Sequence, residues 1–242
     1  LDQNKSISWS SLAKWANRIA HYLQKEGIKK GDNIALLADE SIEKLIIWMG
    51  IWRLGAVVCP LNIEMNASHI EELLGTIRPK LTLWHSELKG HKITNSIKGK
   101  NKQFQNWSER IEDPVQNDDF FSEITEIDPP TDIDIENGPD DLSCIFCTSG
   151  TTSRPKCVVY NHQAYWLNGL NTIDFLGLTA QDRTLEYRSF GWNSAQVLSL
   201  MPWIETGLSM FIWIVRFRRS KCRNCQVARW WPEVGSKMPR TI

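Results

Sequence analysis

The sequence predicts an α/β fold in which parallel-rich sheets are flanked by helices. Short apolar runs of strand length alternate with longer segments in which apolar residues recur at helical spacing. Strands that alternate with helices in this way are typical of a parallel sheet covered on both faces. The 242 residues, of which 42% are apolar and 23% charged, are enough to bury a substantial core.

The first predicted helix begins after Ser8 or Ser10, either of which can cap it, and runs to about Glu26, before Gly27. Apolar residues recur along this segment at helical spacing and form one apolar face of the helix. Two more helices and three short strands follow, and we interpret their tryptophans as core residues rather than a ligand-binding box. The helices are predicted over residues 41–54 and 67–77, and the strands over residues 34–38, 56–61 and 81–84.

Residues 85–141 have a different composition, with several lysines followed by an acidic stretch. The Pro-, Asn- and Gly-containing stretches at 128–134 and 137–141 are typical of turns and linkers. We interpret residues 85–141 as a polar surface excursion between two parts of one sheet system.

The most informative stretch is residues 147–157, which are rich in Gly, Ser, Thr and Pro and lie between two apolar runs. Small residues let backbone N–H groups approach a phosphate, hydroxyls add donors, and Lys156 adds positive charge. Composition alone also allows an ordinary surface turn. The P-loop of NTPases is excluded, because that pattern needs glycine where Pro155 precedes the lysine.

Residues 148–152, followed by Pro155 and Lys156, resemble the phosphate-loop signature of the adenylate-forming (AMP-binding) superfamily. This superfamily includes acyl-CoA synthetases, luciferases and peptide-synthetase adenylation domains. Residues 52–62 resemble an earlier block of the same family, at the expected distance before the loop. The resemblance implies that residues 1–212 form the incomplete N-terminal domain of an acyl-CoA synthetase or ligase.

The resemblance implies that a carboxylate attacks the α-phosphate of ATP, giving an acyl-adenylate and pyrophosphate, and that a thioester then forms. ATP with Mg is the implied cofactor, a small-molecule carboxylic acid the implied partner, and CoA the implied acceptor. Lys156 is the implied catalytic residue. The implied phosphate-binding residues are Thr148, Ser149, Gly150, Thr151, Thr152, Ser153 and Lys156.

Two residues depart from the family pattern: Ser153 and Cys157 stand where it usually has glycine. A side chain there would strain the loop if the backbone needed a positive φ. His162, which precedes a helix predicted over residues 163–175, is interpreted as a capping or packing residue, or as a neighbour of the nucleotide site.

The segment that begins at Phe190 resembles the family's aromatic motif at the carboxylate pocket. It assigns Phe190, Gly191 and Trp192 to the substrate pocket, while a core role for both aromatic side chains stays open. Amino-acid-activating members carry an aspartate where this chain has Gly191, so the resemblance favours an uncharged or acyl carboxylate. The segment opens a helix predicted to about residue 205, between strands predicted over 184–187 and 208–215.

Residues 213–242 contain eight Lys or Arg and one Glu, with no helical or strand period. We expect an aberrant basic tail, produced by a change of reading frame or a mis-spliced end near residue 212. The family's downstream Tyr-Gly-x-Thr-Glu block and ribose-binding aspartate are not found after Met210. The second catalytic lysine, which the family carries in a small C-terminal domain, is not found there either. The chain is therefore expected to be truncated and inactive alone. A non-catalytic nucleotide-binding or interaction module is the alternative, and a nucleic-acid-binding tail is a third hypothesis, which we do not favour.

Two C-x-x-C pairs, Cys144/Cys147 and Cys222/Cys225, are too far apart in the chain for the usual zinc spacing. Cys144 and Cys147 should also point to opposite faces of a strand, so no metal site is predicted. Reduced thiols, no secretory signal and no membrane span predict a cytoplasmic protein. No nucleic-acid partner is expected, and the oligomeric state stays open.

Overall fold

The computed structural model describes residues 6–106, 120–125, 133–148 and 156–212. In these residues the main sheet has six strands in the order β4-β3-β1-β2-β5-β6, and two further strands form a separate parallel pair. All neighbours in the main sheet are parallel except β5 and β6. The strands are β1 (Asn33–Leu37), β2 (Val57–Leu61), β3 (Leu81–His85), β4 (Asn101–Phe104), β5 (Leu142–Thr148), β6 (Lys156–Asn161), β7 (Arg183–Glu186) and β8 (Ser209–Ile212).

Helices connect and cover these strands, which confirms the predicted α/β class. A π-helical turn at Gln196–Leu200 and two 3₁₀ turns at Ser86–Leu88 and Lys92–Ser96 complete the regular structure. The α-helices are α1 (Trp9–Lys25), α2 (Ile42–Arg53), α3 (Ala67–Ile77), α4 (Phe120–Thr125), α5 (His162–Leu176), α6 (Asn193–Ala195) and α7 (Met201–Thr206).

The helices that follow β1 and β2 lie on opposite faces of the sheet. The chain moves from β1 to β2 in one direction and then back past β1 to β3, and right-handed crossovers in opposite directions place their helices on opposite faces. Helices α1 and α2 share one buried core with Ile34 and Leu36, whereas α3 packs in a second core with Ala35 and Leu37. The side chains of β1 thus alternate between two covered faces.

Helices α1 and α2 approach closely because Gly50 has no side chain. A Cβ atom at Gly50 would lie 2.4 Å from Cγ2 of Ile19 and 3.3 Å from the carbonyl oxygen of Ala16. The predicted cap of α1 is also present, since the Ser8 hydroxyl accepts a hydrogen bond from the backbone N–H of Ser11 at 3.1 Å.

Part of the stretch interpreted as a surface excursion belongs to the fold, so that interpretation is wrong for residues 101–104 and 120–124. Strand β4 pairs with β3 at the edge of the sheet, and Phe104 at its end is buried. Two buried aromatic side chains of α4 pack edge-to-face on α1, Phe120 on Tyr22 and Phe121 on Trp15. Aromatic burial therefore fixes this stretch to the first helix despite its polar composition.

The last described elements also differ from the sequence prediction. The helix predicted to run to about residue 205 is divided into α6, the π-helical turn and α7. The predicted strand at 208–215 is described as far as Ile212, and the basic stretch 213–242 lies outside the described residues. In the part of the chain that is described, no helix is long and apolar enough to cross a membrane.

Candidate functional site

The carboxyl ends of β1, β2 and β5 meet at one edge of the sheet, which we call the carboxyl edge. Strand β1 leads to Glu40, β2 leads to Asn62, and β5 ends at Thr148, where the predicted phosphate loop begins. The chain leaves β1 and β2 towards opposite faces, and open α/β sheets bind ligands in the crevice that such a divergence creates.

Lys156 lies at the carboxyl edge because β5 and β6 form an antiparallel hairpin. The register pairs Lys156 directly with Thr148, and Lys156 is exposed to solvent. Lys156 thus follows the predicted phosphate loop and lies beside Thr148, the residue at which the loop begins. The predicted phosphate-binding residues Ser149, Gly150, Thr151, Thr152 and Ser153 lie outside the described residues, as does the side chain of Thr148. Their role stays a prediction.

Cys157 introduces no left-handed backbone strain. It lies in the extended strand β6, and among the described residues Arg78 is the non-glycine residue with a positive φ. Cys157 stands directly opposite Cys147, with 3.3 Å between the two sulfur atoms. The prediction that Cys144 and Cys147 face opposite sides is confirmed, since they belong to the two different cores.

The hypothesis that His162 neighbours the nucleotide site is wrong. Because β6 runs back along β5, its last residue Asn161 pairs with Leu142 at the opposite, amino edge of the sheet. His162 therefore lies roughly 20 Å along the strand from Lys156. There its backbone N–H donates to the carbonyl of Asp141 at 3.0 Å, and burial lowers the pKa of its imidazole.

A cavity of about 700 Å³ also lies at the amino edge, between α1, the end of α2 and the start of α5. Its lining includes Asn17, Arg53 and His162 but none of the residues predicted to bind phosphate or substrate. Arg53 is already engaged there, because its Nε donates to the Asn17 side chain at 2.8 Å. The cavity and the carboxyl edge are thus distinct features at opposite ends of the strands.

The segment assigned to the substrate pocket packs on the carboxyl edge. Phe190 is wholly buried and contacts Trp48 edge-to-face, so its side chain is a core residue in this structure. Gly191 presses on Asn62, and a Cβ atom at Gly191 would lie 2.9 Å from the backbone nitrogen of Asn62. Trp192 keeps 42% of its surface exposed and is the aromatic residue of the segment that a ligand can reach.

A buried carboxylate holds this segment in place. Glu40 Oε1 accepts hydrogen bonds from the Ser189 hydroxyl and from the backbone N–H of Phe190, each at 2.9 Å. The same oxygen accepts from Lys44 Nζ at 2.6 Å. Lys44 has no exposed surface, and its ammonium also donates to the carbonyl of Ala38 at 2.9 Å. The charged pair therefore joins the end of β1, the start of α2 and the 189–191 segment.

The carbonyl group of Phe190 is satisfied by a second buried side chain. Gln196 Nε2 donates to this carbonyl, and Gln196 Oε1 accepts from the hydroxyl of Tyr165. Both backbone polar groups of Phe190 thus have side-chain partners, Glu40 at 150 residues from Phe190 in sequence and Gln196 at six residues. A buried irregular segment needs such partners, because it has no strand or helix to supply them.

Sequence reasoning missed Glu40, Lys44 and Gln196. A signal for the first two was present, since a carboxylate and an ammonium four residues apart directly follow a buried strand and open an apolar helix. No such signal marks Gln196, whose role depends on contacts made in the folded chain. Within the described residues, no group of three or more His, Cys, Asp or Glu side chains is arranged to bind a metal.

The fold and this edge define a doubly wound α/β domain in which a Gly-, Ser- and Thr-rich stretch follows β5 in the sequence, where β5 ends at the carboxyl edge. The model of the AMP-binding enzyme family matches residues 1–227, and the chain belongs to that family.

Among curated proteins, the chain is 26% identical over 210 residues to tyrocidine synthase 2 of Brevibacillus parabrevis, covering 87% of this chain and 5% of that protein. It is 29% identical over 217 residues to the crotonobetaine/carnitine–CoA ligase of Salmonella typhimurium, covering 88% of this chain and 41% of the ligase. The chain therefore spans less than half the length of either relative.

Among solved structures, the fold resembles that of ATP-bound MatB from Rhodopseudomonas palustris, with a TM-score of 0.69 and 20% identity. The match covers 87% of this chain and 40% of MatB. At this level of identity the likeness shows the fold.

Proposed function

We propose that the chain carries the ATP- and acid-binding part of a ligase that activates a carboxylic acid as its acyl-adenylate and transfers it to CoA. The observation that carries the proposal is the hairpin that places Lys156 opposite Thr148 at the carboxyl edge, in a chain of the AMP-binding family. The names of a CoA ligase and of an ATP-bound structure among its relatives support this proposal.

In this proposal the loop between β5 and β6 binds the β- and γ-phosphates. Lys156 would pair with phosphate oxygens, and the hydroxyls and backbone N–H groups of Thr148, Ser149, Gly150, Thr151, Thr152 and Ser153 would add donors. When the carboxylate attacks the α-phosphorus and pyrophosphate departs, these groups stabilise the developing negative charge. Mg²⁺ would be bound mainly through the phosphates, as is usual for this ion.

The carboxyl edge favours an acid without an ammonium group. Gly191 supplies no side chain, and the contact with Asn62 leaves no space for one without movement of the segment. Among the described residues, the carboxylate that binds the 189–191 segment is Glu40, and its Oε1 already accepts from Lys44, Ser189 and Phe190. The other oxygen, Oε2, is buried, so a substrate ammonium would have to be buried to reach it. An apolar acid could instead lie against the exposed surface of Trp192.

Binding without turnover is the second candidate function. It requires only the predicted phosphate-binding residues and the exposed Lys156 opposite Thr148, all of which belong to this chain. A nucleotide-binding module on the same fold would bind ATP at Lys156 and would release no pyrophosphate.

Titration calorimetry with Mg-ATP tests the proposal on the wild-type chain, on Lys156→Ala and on Lys98→Ala. Lys98 is a matched control, because it is an exposed lysine whose loss changes the net charge equally. Loss of one charge-assisted contact should weaken ATP binding by at least about tenfold in Lys156→Ala. The control should bind as the wild type does, and equal affinity of the wild type and Lys156→Ala would contradict the proposal.

Pyrophosphate exchange in the same samples separates the two candidate functions. With a mixture of acyl carboxylates, exchange that depends on the acid and is lost in Lys156→Ala supports the ligase. ATP binding without exchange supports the binding module.

A further inference from the structure

Cys147 and Cys157 are a directly opposed pair across the β5–β6 hairpin, one residue pair from the predicted phosphate loop. Their sulfur atoms lie 3.3 Å apart, and both thiols are free. Residues directly opposite in antiparallel strands have Cα atoms about 4.5–5.5 Å apart. A disulfide needs a Cα separation of about 4.4–6.8 Å. The two strands therefore already have the spacing that a disulfide requires, and side-chain rotation alone can close the gap between the sulfurs.

The two thiols differ in access to solvent, as the two partners of an oxidation need to. Cys157 lies on β6, which is an edge strand of the main sheet, and it is partly exposed. Cys147 lies on β5, the strand of the hairpin that is flanked by β2 and β6, and it is buried. Burial, together with the neighbouring Cys157 thiol, raises the pKa of the Cys147 thiol. An oxidant in solution thus reaches Cys157 first, and Cys147 is the thiol in position to react next.

We propose that Cys147 and Cys157 form a reversible disulfide, which makes the base of the predicted phosphate loop a site of redox modification. With hydrogen peroxide as the oxidant, Cys157 is first oxidised to the sulfenic acid as the peroxide is reduced to water. The Cys147 sulfur then attacks the Cys157 sulfur, an S–S bond forms, and the sulfenic oxygen leaves as a second water. A dithiol reductant returns both thiols by exchange.

The other two described cysteines are less suited to pair with Cys157. Cys59 is completely buried on β2, and burial raises the pKa of its thiol well above the usual range. Cys144 points into the opposite core, where its thiol donates to the side chain of Gln196 at 3.6 Å. Neither stands opposite Cys157 in the register of the hairpin.

Peptide mapping after peroxide treatment tests the inference. Trypsin cleaves after Lys156, so Cys157 begins one peptide while Cys144 and Cys147 share the preceding one. The Cys144→Ser chain is therefore the reference protein, and Cys144→Ser/Cys147→Ser is its matched control. We expect the peptides that carry Cys147 and Cys157 to be joined in the reference protein, with the loss of two hydrogen atoms, and to separate on reduction.

The control should show Cys157 oxidised but not joined to another peptide. A link from Cys157 to Cys59 or to a tail cysteine, or Cys157 over-oxidised while Cys147 stays reduced in the reference protein, would overturn the inference. The peptide map does not depend on ATP binding, so the disulfide can be confirmed or refuted separately from the proposed function.

Thermal unfolding of the reference protein, oxidised and reduced, tests whether the link fits the native strands. Closing the ring over residues 147–157 should raise the midpoint by roughly 5–10 °C. A lower midpoint in the oxidised protein would show that the link displaces the strands and would overturn the geometric argument.

Discussion

Replacement of Glu40 should destabilise the protein more than replacement of any exposed carboxylate, because Glu40 neutralises a fully buried ammonium. Glu40→Ala removes the acceptor of three hydrogen bonds and leaves Lys44 as an unpaired charge with no exposed surface. Removing one partner of a buried pair costs about 3–5 kcal/mol. We therefore expect the free energy of unfolding to fall by about 4 kcal/mol, which is a large part of the stability of an ordinary domain.

The buried charge of Lys44 leads to a second, more specific prediction for the double variant. Glu40→Ala/Lys44→Met removes both charges, so the groups that lose a partner are uncharged: the Ser189 hydroxyl, the Phe190 N–H and the Ala38 carbonyl. An unsatisfied buried donor costs about 1–3 kcal/mol. The double variant should therefore be more stable than Glu40→Ala alone. The losses of unfolding free energy in Glu40→Ala and in Lys44→Met, added together, should exceed the loss in the double variant by at least about 1.5 kcal/mol. Glu40→Gln, which keeps an acceptor for Phe190, should lie between Glu40→Ala and the wild type.

Urea unfolding, followed by circular dichroism, measures all of these free energies if the slope with urea is unchanged. The control is Glu71→Ala, which breaks an exposed ion pair with Lys98 and should leave the midpoint where it is. A loss below about 1 kcal/mol in Glu40→Ala would refute the reasoning. So would additivity of the two single variants, since it would mean that Lys44 does not depend on Glu40.

Two further variants test the packing of the segment and the pH dependence of stability. Gly191→Ala should destabilise by about 1–3 kcal/mol, because its Cβ would lie 2.9 Å from the Asn62 backbone nitrogen, whereas Gly75→Ala, in a helix with open space around it, should be neutral or stabilising in thermal unfolding. Burial raises the pKa of Glu205 to about 7, so its ionisation destabilises the folded state as the pH rises from about 4.5 through 7. Glu205→Gln should therefore be more stable than the wild type at pH 8 and equally stable near pH 4, and an equal gain at both pH values would contradict the assignment.

The elements with strong local signals were predictable from the sequence. Helix α3 has the predicted bounds, because Asn66 caps its start and Pro79 follows its end. Strands β1 and β2 were predictable because both faces of each are buried, which leaves continuous apolar runs. Strand β4 was not predicted, because an edge strand buries few side chains and only Phe104 of its four residues is fully buried.

The direction of a strand was harder to predict than its existence. Apolar runs were recognised on both sides of the predicted phosphate loop, but composition does not say whether the second strand continues in parallel or folds back. The antiparallel pairing of β5 with β6 sends the chain from the carboxyl edge to the amino edge. His162 follows the loop closely in sequence and is distant from it in space for this reason, which is why the proximity inferred from sequence failed.

In the candidate site, too, features that depend on neighbouring residues could be predicted, and features that depend on distant contacts could not. The phosphate loop could be predicted from the sequence because its residues are contiguous and their chemistry is shared. The 189–191 segment has no regular structure of its own, and α6 after it has three residues, so partners elsewhere in the chain must fix it. Glu40 binds its N–H group and Gln196 its carbonyl, and Glu40 is 150 residues from Phe190 in sequence. Such contacts depend on the sheet having formed, because only then do the end of β1 and this segment meet. A pattern read along the chain could suggest a pocket role for Phe190, but its buried position and the hydrogen bonds that hold it depend on the folded carboxyl edge.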